Sequence, residues 1–146
     1  MSNNNPVLFI TRKAHFNAAH KLYNPLWDKE KNETIFGKCA NENWHGHNFD
    51  LEITIKGYVN PETGFIMDLK TLKNIIETHV IDQLDHKNLN LDVPFLKDKL
   101  PSIENIVLEI WNILIQYLPK NTKLHKIHLI ETKNNSVEYY GPEIVF

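Results

Sequence analysis

Two long stretches of alternating apolar and polar residues, about 8–20 and 45–58, each carry histidine at one end and constrain this chain to strand structure first of all. Strand side chains point alternately to opposite faces. In the second stretch, His45 and His47 therefore share a face with Phe49, Leu51, Ile53 and Ile55. In the first stretch, Ile10, Arg12, Ala14, Phe16, Ala18 and His20 share one face, with His20 at the strand end. Pairing the two strands with His20 beside the His45-Gly46-His47 pair makes a three-histidine site. That is the number of protein ligands a catalytic zinc uses when one position stays open to water or substrate. On spacing alone a His-x-His in a strand is more often exposed or hydrogen-bonded than metallated, and His128 is a weaker candidate ligand.

Between the two strands runs a long polar loop containing Pro25, Gly37 and Cys39. Loops of this length are more often functional than casual. Asn60-Pro61-Glu62-Thr63-Gly64 reads as a turn. Leu69, Leu72, Ile76, Val80 and Leu84 then fall at helical spacing behind an Asp68 cap. Asp85-His86-Lys87-Asn88-Leu89-Asn90 breaks that pattern. A second helix starts at a Ser102 cap, shows an apolar face of Ile106, Ile110, Trp111, Leu114 and Leu118, and ends near Pro119. Strands over 124–131 and 136–140 flank a turn at Lys133, Asn134 and Asn135. Two strands, two helices and two strands predict one α+β domain over 1–146, a four-stranded antiparallel sheet with two helices on one face. The uncovered face predicts association of sheets between subunits.

Charge and cysteine usage bound the partners. A formal charge of -2 gives no general attraction to nucleic acid or to an anionic membrane, although a local basic pocket for a phosphorylated small molecule is compatible with it. The most apolar segment, 106–118, contains Glu109, Asn112 and Gln116 and does not read as a membrane span. The polar start, residues 1–6, lacks the pattern of a secretory signal. A single cysteine forms no internal disulfide, which fits a reducing, cytoplasmic setting and leaves Cys39 a free thiol.

Six segments together resemble the 6-pyruvoyl tetrahydropterin synthase and 6-carboxytetrahydropterin synthase family: Phe16-Asn17-Ala18-Ala19-His20, Phe36-Gly37-Lys38-Cys39, His45-Gly46-His47-Asn48, Leu84-Asp85-His86-Lys87-Asn88-Leu89, Ser102-Ile103-Glu104-Asn105 and Glu131-Thr132. The resemblance covers nearly the whole chain. It implies the tunnelling fold (ββααββ), in which strands from three subunits close a barrel, and a homohexamer of two trimers with active sites at subunit interfaces. It implies Zn2+ held by His20, His45 and His47, and 7,8-dihydroneopterin triphosphate as substrate, with Mg2+ accompanying the triphosphate. The implied reaction is an internal redox rearrangement that eliminates triphosphate and leaves a pyruvoyl side chain, with zinc as Lewis acid.

The same resemblance implies a role for each remaining residue. Cys39 matches the general base, Asp85 and His86 the proton relay, Glu131 the pterin-binding carboxylate and Ser102 a hydroxyl of the pterin pocket. Read without it, Cys39 is also a small buried hydrophobe, Asp85-His86 a helix-end turn, Glu131 a solvated strand residue and Ser102 a helix cap. Arg12, Lys13, Lys38, Lys87 and Lys133 are candidates for the triphosphate, none of them assigned. The five residues between Cys39 and His45 resemble the pyruvoyl-forming members. The alternatives are 6-carboxytetrahydropterin formation in the queuosine route, side-chain cleavage to 6-hydroxymethyldihydropterin by a loop glutamate such as Glu42, and a structural zinc site closed by Cys39. Trp44 makes the loop unlike the glycine-containing version common in animal members.

Overall fold

A computed structural model describes residues 5–142. The ends of the expected domain 1–146, and residues 1–4 of the polar start, lie outside the described residues. Strand β1 (Val7–His20) and strand β2 (His45–Tyr58) run antiparallel along their whole lengths. Their register sets His20 opposite His45, Ala18 opposite His47 and Phe16 opposite Phe49. Because side-chain direction alternates, this register sends all three histidines to the buried face, with the Phe16 and Phe49 rings stacked 4.7 Å apart beneath them.

Helix α2 (Leu69–Ile76) is capped by Asp68, whose carboxylate accepts the Lys70 N–H. It continues through a π-helical turn (Glu77–Ile81) and a last α-helical turn, α3 (Asp82–Leu84). Helix α4 (Ile103–Tyr117) starts where the Ser102 hydroxyl accepts the Asn105 N–H. Leu72, Ile76 and Val80 from the first run, and Ile106, Ile110 and Leu114 from the second, are buried with Leu51, Ile53, Ile55, Ile127 and Leu129 of the sheet. This burial is the main favourable term holding the helices to one sheet face. The opposite face is polar: Thr11 bonds Thr54, Asn17 bonds Asn48, and Glu52 lies 3.9 Å from Lys13 and 3.7 Å from His128. Among the described residues no helix is long and apolar enough to cross a membrane.

Among the described residues the sheet has five strands, in the order β3-β1-β2-β4-β5, where four were expected. The fifth is β3 (Lys87–Asn88), which pairs parallel to β1 at Ala18 and Ala19. Two residues give no alternation to read, so this strand exists through tertiary pairing alone. β4 (Lys123–Thr132) and β5 (Asn135–Tyr139) form the expected last hairpin.

The loop between β1 and β2 also departs from expectation, because it contains helix α1 (Lys29–Phe36) followed by a 3-10 turn (Gly37–Ala40) that carries Cys39. Helix α1 has no apolar stripe. Its one fully buried residue is Asn32, whose amide nitrogen donates to the Asn24 and Asp28 carbonyls and whose carbonyl accepts the Asn24 N–H at 2.7 Å. A helix pinned by one buried amide rather than by apolar periodicity escapes a reading based on hydropathy.

Candidate active site

His20 ends β1 and is 2% exposed. Its Nδ1–H donates to the Pro101 carbonyl at 2.8 Å, which fixes the ring and leaves Nε2 as the free lone pair. Burial, with His45 and His47 adding to it, pushes the His20 pKa down to about 4 against the opposing pull of the Pro101 carbonyl. Burial likewise lowers His45. His20 is therefore neutral near pH 7 and presents a lone pair without first losing a proton.

His20, His45 and His47 bring one ligand atom each to within 4.8 Å of one another. His20 Nε2, His45 Nδ1 and His47 Nε2 are buried and have no hydrogen-bond partner among the described residues. A buried polar atom without a partner costs about 1–3 kcal/mol. Three converging on one point fit a metal ion, and neutral imidazole is the donor that zinc takes. Cys39 does not belong to this ligand group.

Glu131, on β4, places its two carboxylate oxygens 3.8 Å from His20 Nε2 and 3.8 Å from His47 Nε2. Glu131, His20, Cys39 and Ser102 line one cleft of about 470 Å3, together with Asn134 and Ser136 of the last hairpin. That volume lies within the range of small-molecule sites. Among the described residues no lysine or arginine lines the cleft. Lys13 instead sits against Glu52, on the polar sheet face.

Asp85 and His86 are a dyad placed elsewhere. The Asp85 carboxylate accepts the Asn17 N–H at 2.9 Å and lies 2.9 Å from His86 Nδ1. The Asn17 N–H, followed by His86, holds the Asp85 carboxyl below the usual carboxylate range. The ionised carboxylate selects the His86 tautomer that carries its proton on Nδ1, so Nε2 points outward from a side chain that is 82% exposed. Neither residue lines the cleft that holds Cys39. The backbone fixes the dyad through His86 N–H to the Asn17 carbonyl and Leu89 N–H to the Ala19 carbonyl, the bonds that surround β3.

Sequence reasoning missed the supporting groups: the Pro101 carbonyl, 81 residues from His20, and the Asn17 N–H, 68 residues from Asp85. Both are backbone atoms, so no residue type signals them. It also missed two left-handed backbone positions, Trp44 at φ 66° beside His45 and His86 at φ 60°. Non-glycine residues at positive φ store strain and concentrate at functional sites.

A family model described as 6-pyruvoyl tetrahydropterin synthase matches residues 9–142. The chain is 42% identical to a 6-pyruvoyl tetrahydrobiopterin synthase of Pongo abelii and 41% identical to that of Homo sapiens, in each case over 90% of this chain and 90% of the relative. A solved structure of the Caenorhabditis elegans 6-pyruvoyl tetrahydropterin synthase superposes with a TM-score of 0.87 at 34% identity, covering 94% of this chain and 97% of that one. With the fold in agreement with that match over nearly the whole length, the chain belongs to the 6-pyruvoyl tetrahydropterin synthase family.

Proposed function

We propose that this chain is a zinc-dependent cytoplasmic lyase that converts 7,8-dihydroneopterin triphosphate to 6-pyruvoyl tetrahydropterin and inorganic triphosphate, for tetrahydrobiopterin synthesis. The observation that carries the reading is the set of three unpartnered imidazole nitrogens opening beside a cleft that also holds Cys39, Glu131 and Ser102. His20, His45 and His47 hold the ion. Zinc, when bound, supplies Lewis acidity that favours negative charge on a side-chain oxygen of the substrate.

The protein groups do the rest. Glu131 accepts paired hydrogen bonds from the ring N–H and exocyclic amine of the pterin, and the Ser102 hydroxyl contributes to the same pocket while capping α4. Cys39, as thiolate, takes a proton from the substrate side chain. Asp85 orients His86, whose outward Nε2 exchanges a proton with sulfur or substrate. The side chain is oxidised as the ring is reduced, so no external reductant enters. Mg2+ accompanies the triphosphate.

In one protomer the relay faces solvent and the cleft lacks cations, and both observations support a site completed by another subunit. We place the Cys39 cleft of one subunit against the Asp85-His86 dyad of another, within a homohexamer of two trimers. The polar sheet face then lines a barrel. Glu42 lines a different cleft, with Lys21, Tyr23, Lys29 and Glu33, which disfavours it as the group that cleaves the side chain.

Incubation of the zinc-loaded protein with 7,8-dihydroneopterin triphosphate, read by mass spectrometry, is expected to yield 6-pyruvoyl tetrahydropterin. Predominant 6-carboxytetrahydropterin with acetaldehyde would move the assignment to the queuosine route. No turnover by a folded, zinc-loaded oligomer would overturn the enzyme reading.

Glu131→Gln tests recognition separately. It is expected to keep zinc and raise KM about 10- to 100-fold, the loss of one charge-assisted bidentate contact. Release of zinc by this substitution would instead make Glu131 a fourth ligand, a role its 3.8 Å approach to His20 and His47 makes testable.

A further inference from the structure

At the far end of the sheet from the histidine cluster lies a second pocket, of about 390 Å3. His45 opens β2 and Lys56 lies near its other end, eleven residues and roughly 35 Å away at the usual strand rise. Lys56, Lys120, Lys123 and His125 line the pocket, against a wall that includes Trp111 and Tyr140, and among the described residues no aspartate or glutamate lines it. Lys13, Lys29 and Lys99 each sit against a carboxylate. Among the described residues Lys56, Lys120 and Lys123 have no such partner.

Two features of the backbone show that the cations are held together. Lys56 and Lys123 are direct cross-strand partners in the antiparallel β2–β4 ladder. Like charges directly opposite one another destabilise a sheet unless something neutralises them. One step further along the ladder the register slips, from Thr54 opposite Lys126 to Ile55 opposite Leu124, so His125 is the extra residue of a β-bulge. Bulges re-aim side chains and recur next to functional sites.

The chain then closes over the pocket at Gly141, whose φ of 95° and close approach exclude a side chain: an added Cβ would lie 2.7 Å from the Trp111 ring. Burial first, then Lys56 and Lys126, lowers the His125 pKa, which is consistent with a concentrated positive field.

We propose that this pocket binds a small phosphorylated anion, at a site separate from the catalytic cleft. The lysines take the phosphates as point charges, and the apolar wall limits the water that would screen them. The anion relieves the Lys56–Lys123 opposition, which gives the site a preference for two or more adjacent phosphates over a single monoanion.

The test is a titration of the intact zinc-loaded protein with inorganic triphosphate, followed on the methyl resonances of Ile115, Leu118 and Leu124, which line this pocket and not the catalytic one. Saturable shifts are expected, with affinity at least about tenfold weaker in Lys120→Glu/Lys123→Glu and turnover unchanged. Lys56→Gln, a milder change on the opposite strand, is expected to weaken binding too. A parallel titration with ATP separates two ligand sources: equal affinity means that the phosphates alone are recognised, and tighter ATP means that a ring packs on the wall. Absence of shifts at millimolar triphosphate, shifts that never saturate, or equal affinity in the lysine variants would overturn the proposal.

Discussion

His47→Ala is expected to strip the protein of zinc and of turnover together. His47 is the ligand to remove because its side chain is 20% exposed, whereas His20 is buried against Phe49 and its truncation would also leave a hole in the core. The fold has its own support beneath the cluster, in the stacked Phe16 and Phe49 rings and the full β1–β2 ladder. Removing even an outer partner of a ligating histidine weakens a metal site about 10- to 100-fold, so loss of a ligand should weaken it by more than about 100-fold. Metal analysis after gel filtration is expected to fall from about one zinc per chain to near zero, with an unchanged circular dichroism spectrum. Full zinc content in this variant would overturn the three-histidine assignment. Retained turnover without zinc would overturn the proposed chemistry.

The parts of this site that were legible in the sequence are those set by strand alternation. His20, His45 and His47 share a face because each lies an even number of residues from its apolar neighbours, and the observed register keeps that relation. The caps at Asp68 and Ser102 were legible too, since a side-chain oxygen before an apolar helical stripe has a local signature. Helix α1 was not, because its anchor is the buried Asn32 amide rather than an apolar face. Neither was β3, whose two residues pair with β1 through long-range backbone bonds. The Lys56–Lys123 opposition depends on a bulge one residue away, and a bulge leaves no periodic trace in either strand. The resemblance named Asp85 and His86, but only the fold shows that the dyad opens to solvent, away from Cys39.

That separation leads to the second large effect. Cys39→Ala is expected to retain zinc, since the thiol lies outside the histidine group, and to lower kcat by about 10²- to 10⁴-fold, the usual worth of a positioned general base. His86→Ala is expected to fall in the same range, again with zinc retained. Unfolding the two inactive variants together and refolding the mixture then reads out the architecture. If each site draws Cys39 from one subunit and His86 from another, random assembly from equal amounts leaves both residues intact in about a quarter of the sites, so activity returns to about a quarter of the wild-type value. If both residues act from the same chain, every site lacks one of them and activity stays at the level of the parents. A control refolding of each variant alone must stay inactive. Recovery in the mixture would assign the exposed Nε2 of His86 to a neighbour's cleft, and no recovery from zinc-loaded, fully assembled mixtures would overturn the shared site. Release of zinc by Cys39→Ala would instead place the thiol among the ligands and favour a structural metal centre.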